Sequence, residues 1–359
     1  MRRYKHQYIR VWSALLAVIL LLAAGVLGAG AAATASPDRV YVGGMPFGVK
    51  FYTEGILVVG FCDVDVKDGG RAVNPAKDAG IKVRDVITRI NGEIPTDASV
   101  LTAAVEASEG KPITLTVKRG TDKRRGHDGR TMELTVSVTP AFSVSENRYK
   151  TGMWVRDSGA GIGTVTFVIP GSNAFAGLGH GICDGDTGEL VAMRRGQVTD
   201  VTVSGVDRGE AGAPGAIKGY FAPGKTGTLL GNTDCGVFGV LTALPSSAER
   251  MLPVGHRTEV REGEATILCT LDDGKVREYK VCINGIDADA QGSKCFGITV
   301  TDPALIEKTG GIVQGMSGSP VIQNGKLVGA VTHVLINDPT TGYGIFVDNM
   351  LRDMPALLR

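Results

Sequence analysis

Short apolar runs, many of them rich in Val, Ile and Thr, alternate with turn residues along most of the chain after residue 37. Runs of this length and composition predict β-strands. In the second half of the chain they lie at residues 163–169, 190–206, 216–221, 237–241, 264–271, 276–283, 297–300, 321–323, 326–335 and 344–347. The dipeptide Asn324-Gly325 is a strong signal for a tight hairpin turn. Regular short strands without long helices between them indicate a mainly β fold, and we expect two packed β-barrels.

The region before residue 140 has a different pattern. Residues 83–90 predict a half-buried strand that ends at a second hairpin signal, Asn91-Gly92. Residues 98–109 have apolar positions at helical spacing, and alternating runs predict two further strands, 112–119 and 132–139. We therefore expect four parts: an N-terminal segment (1–36), an α+β domain (37–140), a polar linker (141–152) and a β-rich domain (153–359).

The N-terminal segment has the features of an export signal. Residues 1–10 are basic, and residues 11–34 contain no charge. About 20 apolar residues are enough to span a bilayer, and a basic flank favours an orientation that leaves the following residues outside the cytoplasm. Ala33-Thr34-Ala35 also fits a signal-peptidase site before Ser36. A retained membrane anchor and a cleaved signal peptide are both open, and either predicts an extracytoplasmic, membrane-anchored or secreted protein.

Charge and cysteine spacing argue against several classes of function. Lys and Arg number 38 and Asp and Glu 37, so a net charge of +1 offers no field that would attract nucleic acid. The six cysteines form no C-x-x-C pair, so we expect no metal site and leave their pairing open. Residues 219–226 match the P-loop pattern, but the turn-rich residues 227–232 follow instead of a helix. We therefore expect no nucleotide and no other cofactor.

The strongest signal for chemistry is the hexapeptide Gly315 to Pro320, which contains Ser317. A serine nucleophile needs a base and donors for the developing oxyanion, and the N–H groups of Gly315 and Ser317 are suitable donors. His180 lies upstream in a Gly-rich context, which gives the order His then Ser of chymotrypsin-like proteases. The hexapeptide resembles the nucleophile loop of those proteases, with Met316 in place of the usual acid. We expect Ser317 as nucleophile and His180 as general base.

Two acidic residues between His180 and Ser317 are candidates for the third catalytic group. Asp234 and Asp302 both lie in turn-like contexts, and either one could hold the imidazole tautomer. An Asp before Pro is also a common way to start a turn, which is the alternative for Asp302. His333 follows the serine by one hairpin, and we assign it to packing or substrate contact.

Residues 38–140 resemble a PDZ domain of the kind attached to bacterial proteases. Its signature is represented by Gly80 to Gly92, with Arg84 where a glycine is usual. The resemblance implies that a peptide adds as a strand and that backbone N–H groups of a Gly-rich loop hold its terminus. The best candidates for that loop are Gly43, Gly44, Phe47 and Gly48. An ordinary turn entering the first strand is the alternative.

The whole chain resembles the stage IV sporulation protein B peptidase family. The resemblance combines the N-terminal segment, the PDZ-like domain, the His180 context, the run from Thr301 to Pro320 and the residues around His333. It implies that Asp302 is the preferred third catalytic residue and that the protein is located in the space between the forespore and mother-cell membranes. It also implies self-cleavage, and cleavage of a membrane-embedded regulator so that an intramembrane protease activates a late sigma factor. The expected partners are this regulator, protein or peptide substrates, and the protein's own N-terminal segment, held by the PDZ-like domain. The rival interpretation is a non-catalytic peptide-binding adaptor.

Overall fold

The computed structural model describes residues 37–66, 72–120, 131–246 and 249–358. The expected anchor or signal segment, residues 1–36, lies outside the described residues. Within the described ranges, no helix has both the length and the apolar character needed to cross a membrane. All six cysteines are in these ranges, as free thiols.

Strands dominate the first half of the described chain. Up to the catalytic histidine candidate, the elements in order are β1 (Arg39–Val42), β2 (Pro46–Phe61), α1 (Pro75–Asp78), β3 (Val86–Ile90), α2 (Ala98–Ala107), β4 (Ile113–Gly120), β5 (Thr131–Val138), β6 (Ala141–Ser143), β7 (Arg148–Lys150), β8 (Met153–Val168) and β9 (Ala174–Gly177). Asp97 caps α2 by accepting a hydrogen bond from the Ser99 amide, which explains why this helix begins where the sequence predicts it. The expected linker contains the short hairpin formed by β6 and β7.

The second half is almost entirely β-structure. Its elements in order are β10 (Met193–Asp207), β11 (Ala216–Phe221), β12 (Gly227–Thr233), β13 (Gly236–Leu241), β14 (Met251–Pro253), β15 (Gly263–Cys269), β16 (Arg277–Asn284), β17 (Phe296–Val300), α3 (Pro303–Thr309), β18 (Pro320–Gln323), β19 (Lys326–Leu335), β20 (Asp338–Phe346) and α4 (Val347–Asp353), with 3₁₀ turns at Arg257–Glu259 and Ala356–Leu358. Residues 227–232, which we expected to be turn-rich, form strand β12. The helix α3 was not predicted.

The strands form two barrel-like layers, as the pattern predicts. β15, β16, β17, β20, β19 and β18 close into a barrel. The other large sheet runs β14-β1-β8-β9-β13-β12-β10-β2-β3-β4-β5, and β11 pairs with β10. Within it, β2 also pairs with β8, so the strands from β8 to β10 curl back on β2 as a barrel-like unit, which we call the first barrel because it comes earlier in the chain. The fold is therefore mainly β, with one closed barrel and one barrel-like unit.

Two long strands run through both the first barrel and the part of the sheet that contains β3, β4 and β5, which we call the PDZ region because its sequence resembles a PDZ domain. Residues 46–52 of β2 pair with residues 158–164 of β8, whereas residues 57–61 of β2 pair with residues 153–156 of β8. Only the second part of β2 also pairs with β3.

The hydrophobic cores divide at the same point along β2. Phe47, Val49 and Phe51 pack in the first-barrel core, and Ile56 and Val58 pack in the PDZ core. Residues 39–53 therefore belong to the sheet of the first barrel, which differs from the expected start of the PDZ-like domain at residue 37. The buried apolar positions change from odd to even residue numbers across Thr53 and Glu54, so the change of partners coincides with a break in the alternation of β2.

Candidate active site

His180 lies just beyond the end of β9, after a sharp turn. Leu178 and Gly179 have φ angles of 65° and 68°, in the left-handed region. A Cβ on Gly179 would lie 2.9 Å from the Thr332 side chain, so glycine allows the two barrels to approach here. His180 Nδ1 is 2.9 Å from the carbonyl oxygen of Gly181. Because a carbonyl only accepts hydrogen bonds, Nδ1 carries the proton and Nε2 keeps the lone pair that a general base needs.

Ser317 lies in the loop between α3 and β18, and the first barrel holds this loop in place. The Thr164 amide donates to the Ser317 carbonyl at 2.9 Å, and Thr164 Oγ1 donates to the Gly315 carbonyl at 2.8 Å. Gly318 has a φ of 94°, and a Cβ there would lie 2.0 Å from the Thr164 carbonyl oxygen. Only glycine fits this contact, which explains the Gly on the C-terminal side of the serine.

The expected oxyanion donors are available in this geometry. Gly315 and Ser317 both line the cavity described below. Among the hydrogen bonds of the described residues, neither the Gly315 N–H nor the Ser317 N–H has a protein acceptor. Two free amides beside a serine hydroxyl are what an oxyanion hole requires.

A cavity of about 720 Å³ brings the candidate residues together. His180, Ser317, Asp234 and His333 line it, and an apolar wall includes Val49, Phe51, Ile162 and Leu178. Ser317 Oγ donates to the Thr332 carbonyl at 2.8 Å. Within the described chain it makes no hydrogen bond to His180, so the hydroxyl must rotate before the histidine can take its proton. In unliganded enzymes, catalytic hydrogen bonds often reach their working geometry only when substrate binds.

The structure separates the two acid candidates. Asp234 lies in the turn between β12 and β13 and lines the cavity with His180. Asp302 is the N-cap of α3 and accepts from the amides of Ala304 at 3.0 Å and Leu305 at 3.3 Å. It does not line the cavity, so the geometry does not support Asp302 as the preferred third residue. No carboxylate in the described chain hydrogen-bonds to His180.

Asp302 followed by Pro303 is a helix start, since Asp favours the N-cap and Pro the first helical position. This signal was present in the sequence, but the turn interpretation and the family resemblance obscured it. The second carboxylate oxygen of Asp302 accepts from the Lys280 amide at 3.1 Å, so the whole side chain has a structural role.

A second histidine lies against the first. The ring centroids of His180 and His333 are 5.0 Å apart, and His333 Nδ1 is buried without a hydrogen-bond partner in the described residues. Burial, together with the nearby charges of His180 and Lys294, lowers the pKa of His333 to about 4. Burial also lowers the pKa of His180, although its bond to the Gly181 carbonyl opposes this. Both rings are therefore neutral near pH 7, which is the form of His180 that can accept a proton.

The expected peptide-binding loop is occupied by the first barrel. The amides of Gly43 and Gly44 donate to the carbonyls of Thr166 at 2.9 Å and Val165 at 2.8 Å. They are therefore not free to hold a peptide terminus. Phe47 is buried and packs edge-to-face on Phe175, with 5.5 Å between the ring centroids. Gly48 is equally enclosed, because a Cβ there would lie 2.3 Å from the Phe221 ring. All four residues are buried, Gly43 and Gly44 in the connection between β1 and β2, and Phe47 and Gly48 in β2.

Comparison with known proteins identifies the two parts of the chain. The model of the SpoIVB peptidase S55 family matches residues 147–351, and a PDZ domain model matches residues 60–138. No curated protein matches the sequence.

Solved structures with low sequence identity are also similar. The active form of the Rv3671c protease from M. tuberculosis has 15% identity and a TM-score of 0.31, with 73% of this chain and 88% of that chain covered. The thermostable serine protease AL20 from an extremophilic microorganism has 14% identity and a TM-score of 0.31, with 54% of this chain and 90% of that chain covered. Because the S55 family match alone spans more than half of the 359 residues, the chain belongs to the SpoIVB peptidase S55 family of serine endopeptidases and carries a PDZ domain.

Proposed function

We propose that Ser317 is the nucleophile, His180 the general base and Asp234 the third catalytic residue of this peptidase. The observation that supports this assignment is that all three side chains line one cavity between the barrels. Asp302 is replaced in this proposal by Asp234, because Asp302 is engaged at the start of α3.

The proposed reaction begins when the Ser317 hydroxyl leaves the Thr332 carbonyl and donates to Nε2 of His180. Serine oxygen then attacks the substrate carbonyl, the proton passes to His180, and the N–H groups of Gly315 and Ser317 stabilise the oxyanion. His180 next protonates the leaving amine, and the acyl-enzyme forms. A water molecule, deprotonated by His180, hydrolyses this ester and restores the serine.

Asp234 has an electrostatic role in this scheme. The imidazolium that forms during the reaction lies in a partly enclosed cavity, where a nearby negative charge stabilises it more than in water. The neighbouring Cys183 responds to the same charge, since burial first and then Asp234 and Glu189 raise the pKa of its thiol. A charge that disfavours a thiolate beside His180 favours a cation there.

The biological setting of the proposal is sporulation signalling. The protein would act outside the cytoplasm, held or exported by residues 1–36, and cleave both itself and a membrane-embedded regulator, which would let an intramembrane protease activate a late sigma factor. Support for this comes from the family match and from the basic and apolar N-terminal sequence. The protein's own N-terminal segment and other peptides are the proposed partners of the PDZ domain.

The test compares self-processing and peptide cleavage by the full chain and three variants. Ser317→Ala and His180→Ala are expected to lose activity by roughly 10⁴-fold or more. Ser319→Ala is the matched control, because the Ser319 hydroxyl is buried in the same loop without a hydrogen-bond partner, and it should stay active. Activity retained by Ser317→Ala would require a different nucleophile. A wild-type chain that binds peptide without cleaving it would favour the adaptor.

A further inference from the structure

The segment that follows His180 forms a closed loop, residues 182–191, which we name the Asp184 loop. Its two ends meet where the Val191 amide donates to the Ile182 carbonyl at 2.9 Å. The Asn232 side chain also bridges the two ends, because it donates to the Ile182 carbonyl at 3.0 Å and to the Val191 carbonyl at 2.9 Å. Near its start, Cys183 forms part of the cavity wall beside His180. The position of this loop therefore shapes one side of the cleft.

Asp184 organises the interior of the loop. One of its carboxylate oxygens accepts from the Thr187 amide at 2.9 Å, the Thr187 hydroxyl at 3.1 Å and the Asp186 amide at 3.1 Å. The Asp184 side chain is 1% exposed, so its charge needs compensation. Burial opposes its ionisation, but the bonds from Thr187 and the pairing with Arg156 outweigh it and lower its pKa.

Arg156 reaches the Asp184 loop from the PDZ part of β8. It donates to Asp184 at 2.5 Å and to Asp186 at 2.7 Å. Its neighbour in the strand, Val155, packs against the PDZ core, and Arg156 itself pairs with Leu57 in the PDZ part of β2. The counter-charge for a buried carboxylate in the protease loop is therefore fixed to the PDZ sheet.

Arg84 makes a second contact from a different PDZ element. Its guanidinium donates to the Thr187 carbonyl at 2.8 Å and pairs with Glu189 at 3.1 Å. The Arg84 backbone has a φ of 78°, a conformation that suits glycine and strains other residues. The PDZ signature usually has glycine at this position. The chain thus keeps a strained arginine where glycine would relax the turn.

Stability alone does not account for this arginine. The side chains of Arg84 and Glu189 are 56% and 57% exposed, and exposed ion pairs contribute little to folding. The contact instead fixes where the Asp184 loop lies relative to the PDZ domain. Together with Arg156, it gives the loop two charged attachments that come from two separate PDZ segments.

We propose that Arg84 and Arg156 are positioning residues, through which the PDZ domain holds the Asp184 loop and the cleft wall beside His180 in the geometry used for cleavage. The proposal rests on the function proposed above. It makes the PDZ domain a structural part of the cleft: a shift of the PDZ sheet pulls on the loop directly, through two side chains. A coupling of this kind requires that both ends of the contact change together.

The experiment measures hydrogen exchange of the loop amides and peptide-cleavage kinetics in the full chain. Arg84→Gly removes the contact and relieves the backbone strain, so thermal stability should be unchanged or higher. Amides of residues 183–190 should exchange about 2- to 30-fold faster, and kcat should fall within the same range while KM changes little. Arg89→Ala is the matched control, since among the described residues the Arg89 side chain donates only within its own hairpin, to the Gly92 carbonyl. It should leave both readouts at the wild-type value.

Swapping the charges of Arg84 and Glu189 distinguishes a positioning role of the ion pair from a simple loss of packing. In Arg84→Glu, two negative side chains face each other, and hydrogen exchange of the loop amides should become faster. Arg84→Glu combined with Glu189→Arg restores an ion pair, so both the protection of these amides and kcat should recover. Exchange and kcat at wild-type values in Arg84→Gly would overturn the proposal. An inactive wild-type chain would refute the proposed function instead, and the exchange measurement would still decide whether the PDZ domain holds the loop.

Discussion

Replacing Asp302 tests whether it is a helix cap or a catalytic acid. Asp302→Ala removes the acceptor for the Ala304 and Leu305 amides at the start of α3, and the acceptor for the Lys280 amide. Asp302→Asn removes the charge but keeps an N-cap side chain that is nearly as good. The two variants therefore separate the structural role of the side chain from its charge.

The expected loss of stability in Asp302→Ala follows from these hydrogen bonds. Loss of an N-cap costs about 1 kcal/mol, and the exposed bond to Lys280 adds a similar or smaller amount, so Asp302→Ala should lower the free energy of unfolding by about 1–2 kcal/mol. For a domain of this size that is a fall in Tm of roughly 2–8 °C. Asp302→Asn should lose about half of this or less. Both variants should keep the wild-type kcat, because Asp302 does not line the cavity.

The assay combines thermal unfolding with peptide-cleavage kinetics. The kinetics are measured at a temperature well below the lowest Tm of the variants. Asp234→Asn is the positive comparison, with an expected loss of kcat between about 10²- and 10⁴-fold and little change in stability. If Asp302→Asn kept its stability and lost kcat to that degree, the carboxylate would take part in catalysis. The inference from the cavity lining would then be wrong.

Two further outcomes follow from the active-site geometry. The acid limb of kcat/KM should have its midpoint below pH 6.5, because the lowered pKa of His180 keeps the base neutral to lower pH, and activity falls as pH drops through that pKa. A measured profile with a midpoint at or above 6.5 would contradict this. Gly318→Ala should destabilise the fold by about 3 kcal/mol or more in chemical denaturation, since its Cβ would lie 2.0 Å from the Thr164 carbonyl oxygen. Gly325 has a φ of 75° and open space where a Cβ would lie, so Gly325→Ala should lower the free energy of unfolding by only about 1 kcal/mol.

Local patterns predicted the features that depend on neighbouring residues. The mainly β fold is confirmed, and both Asn-Gly signals form turns in which Asn and Gly have positive φ: 51° and 87° at Asn91-Gly92, and 52° and 75° at Asn324-Gly325. Asn and Gly tolerate this conformation, so the sequence alone is enough to locate such turns. The Gly-rich settings of His180 and Ser317 were also local signals, and the structure places both residues in one cavity.

Features that depend on distant partners were not accessible in the same way. Nothing near Asp234 or Asp302 states which one approaches His180, because that depends on how β12 and α3 lie in the folded chain. The Gly43-Gly44 pair resembles a binding loop until its amides are seen to bond to β8. The contacts of Arg84 needed the structure as well, although its replacement of a usual glycine was visible in the sequence.

The continuity of β2 and β8 has a consequence for exchanging modules between related proteases. Each strand has 16 residues, a length of roughly 50 Å, and crosses from one domain into the other, with a shift in the β2–β8 register between Tyr52 and Leu57. A foreign PDZ module must therefore be spliced at two points in matching register. An error of one residue at either splice would turn alternate side chains such as Phe47, Val49 and Phe51 from the barrel interior to its surface. N-terminal truncation cannot release the protease from its PDZ domain, because the same cut would remove a barrel strand.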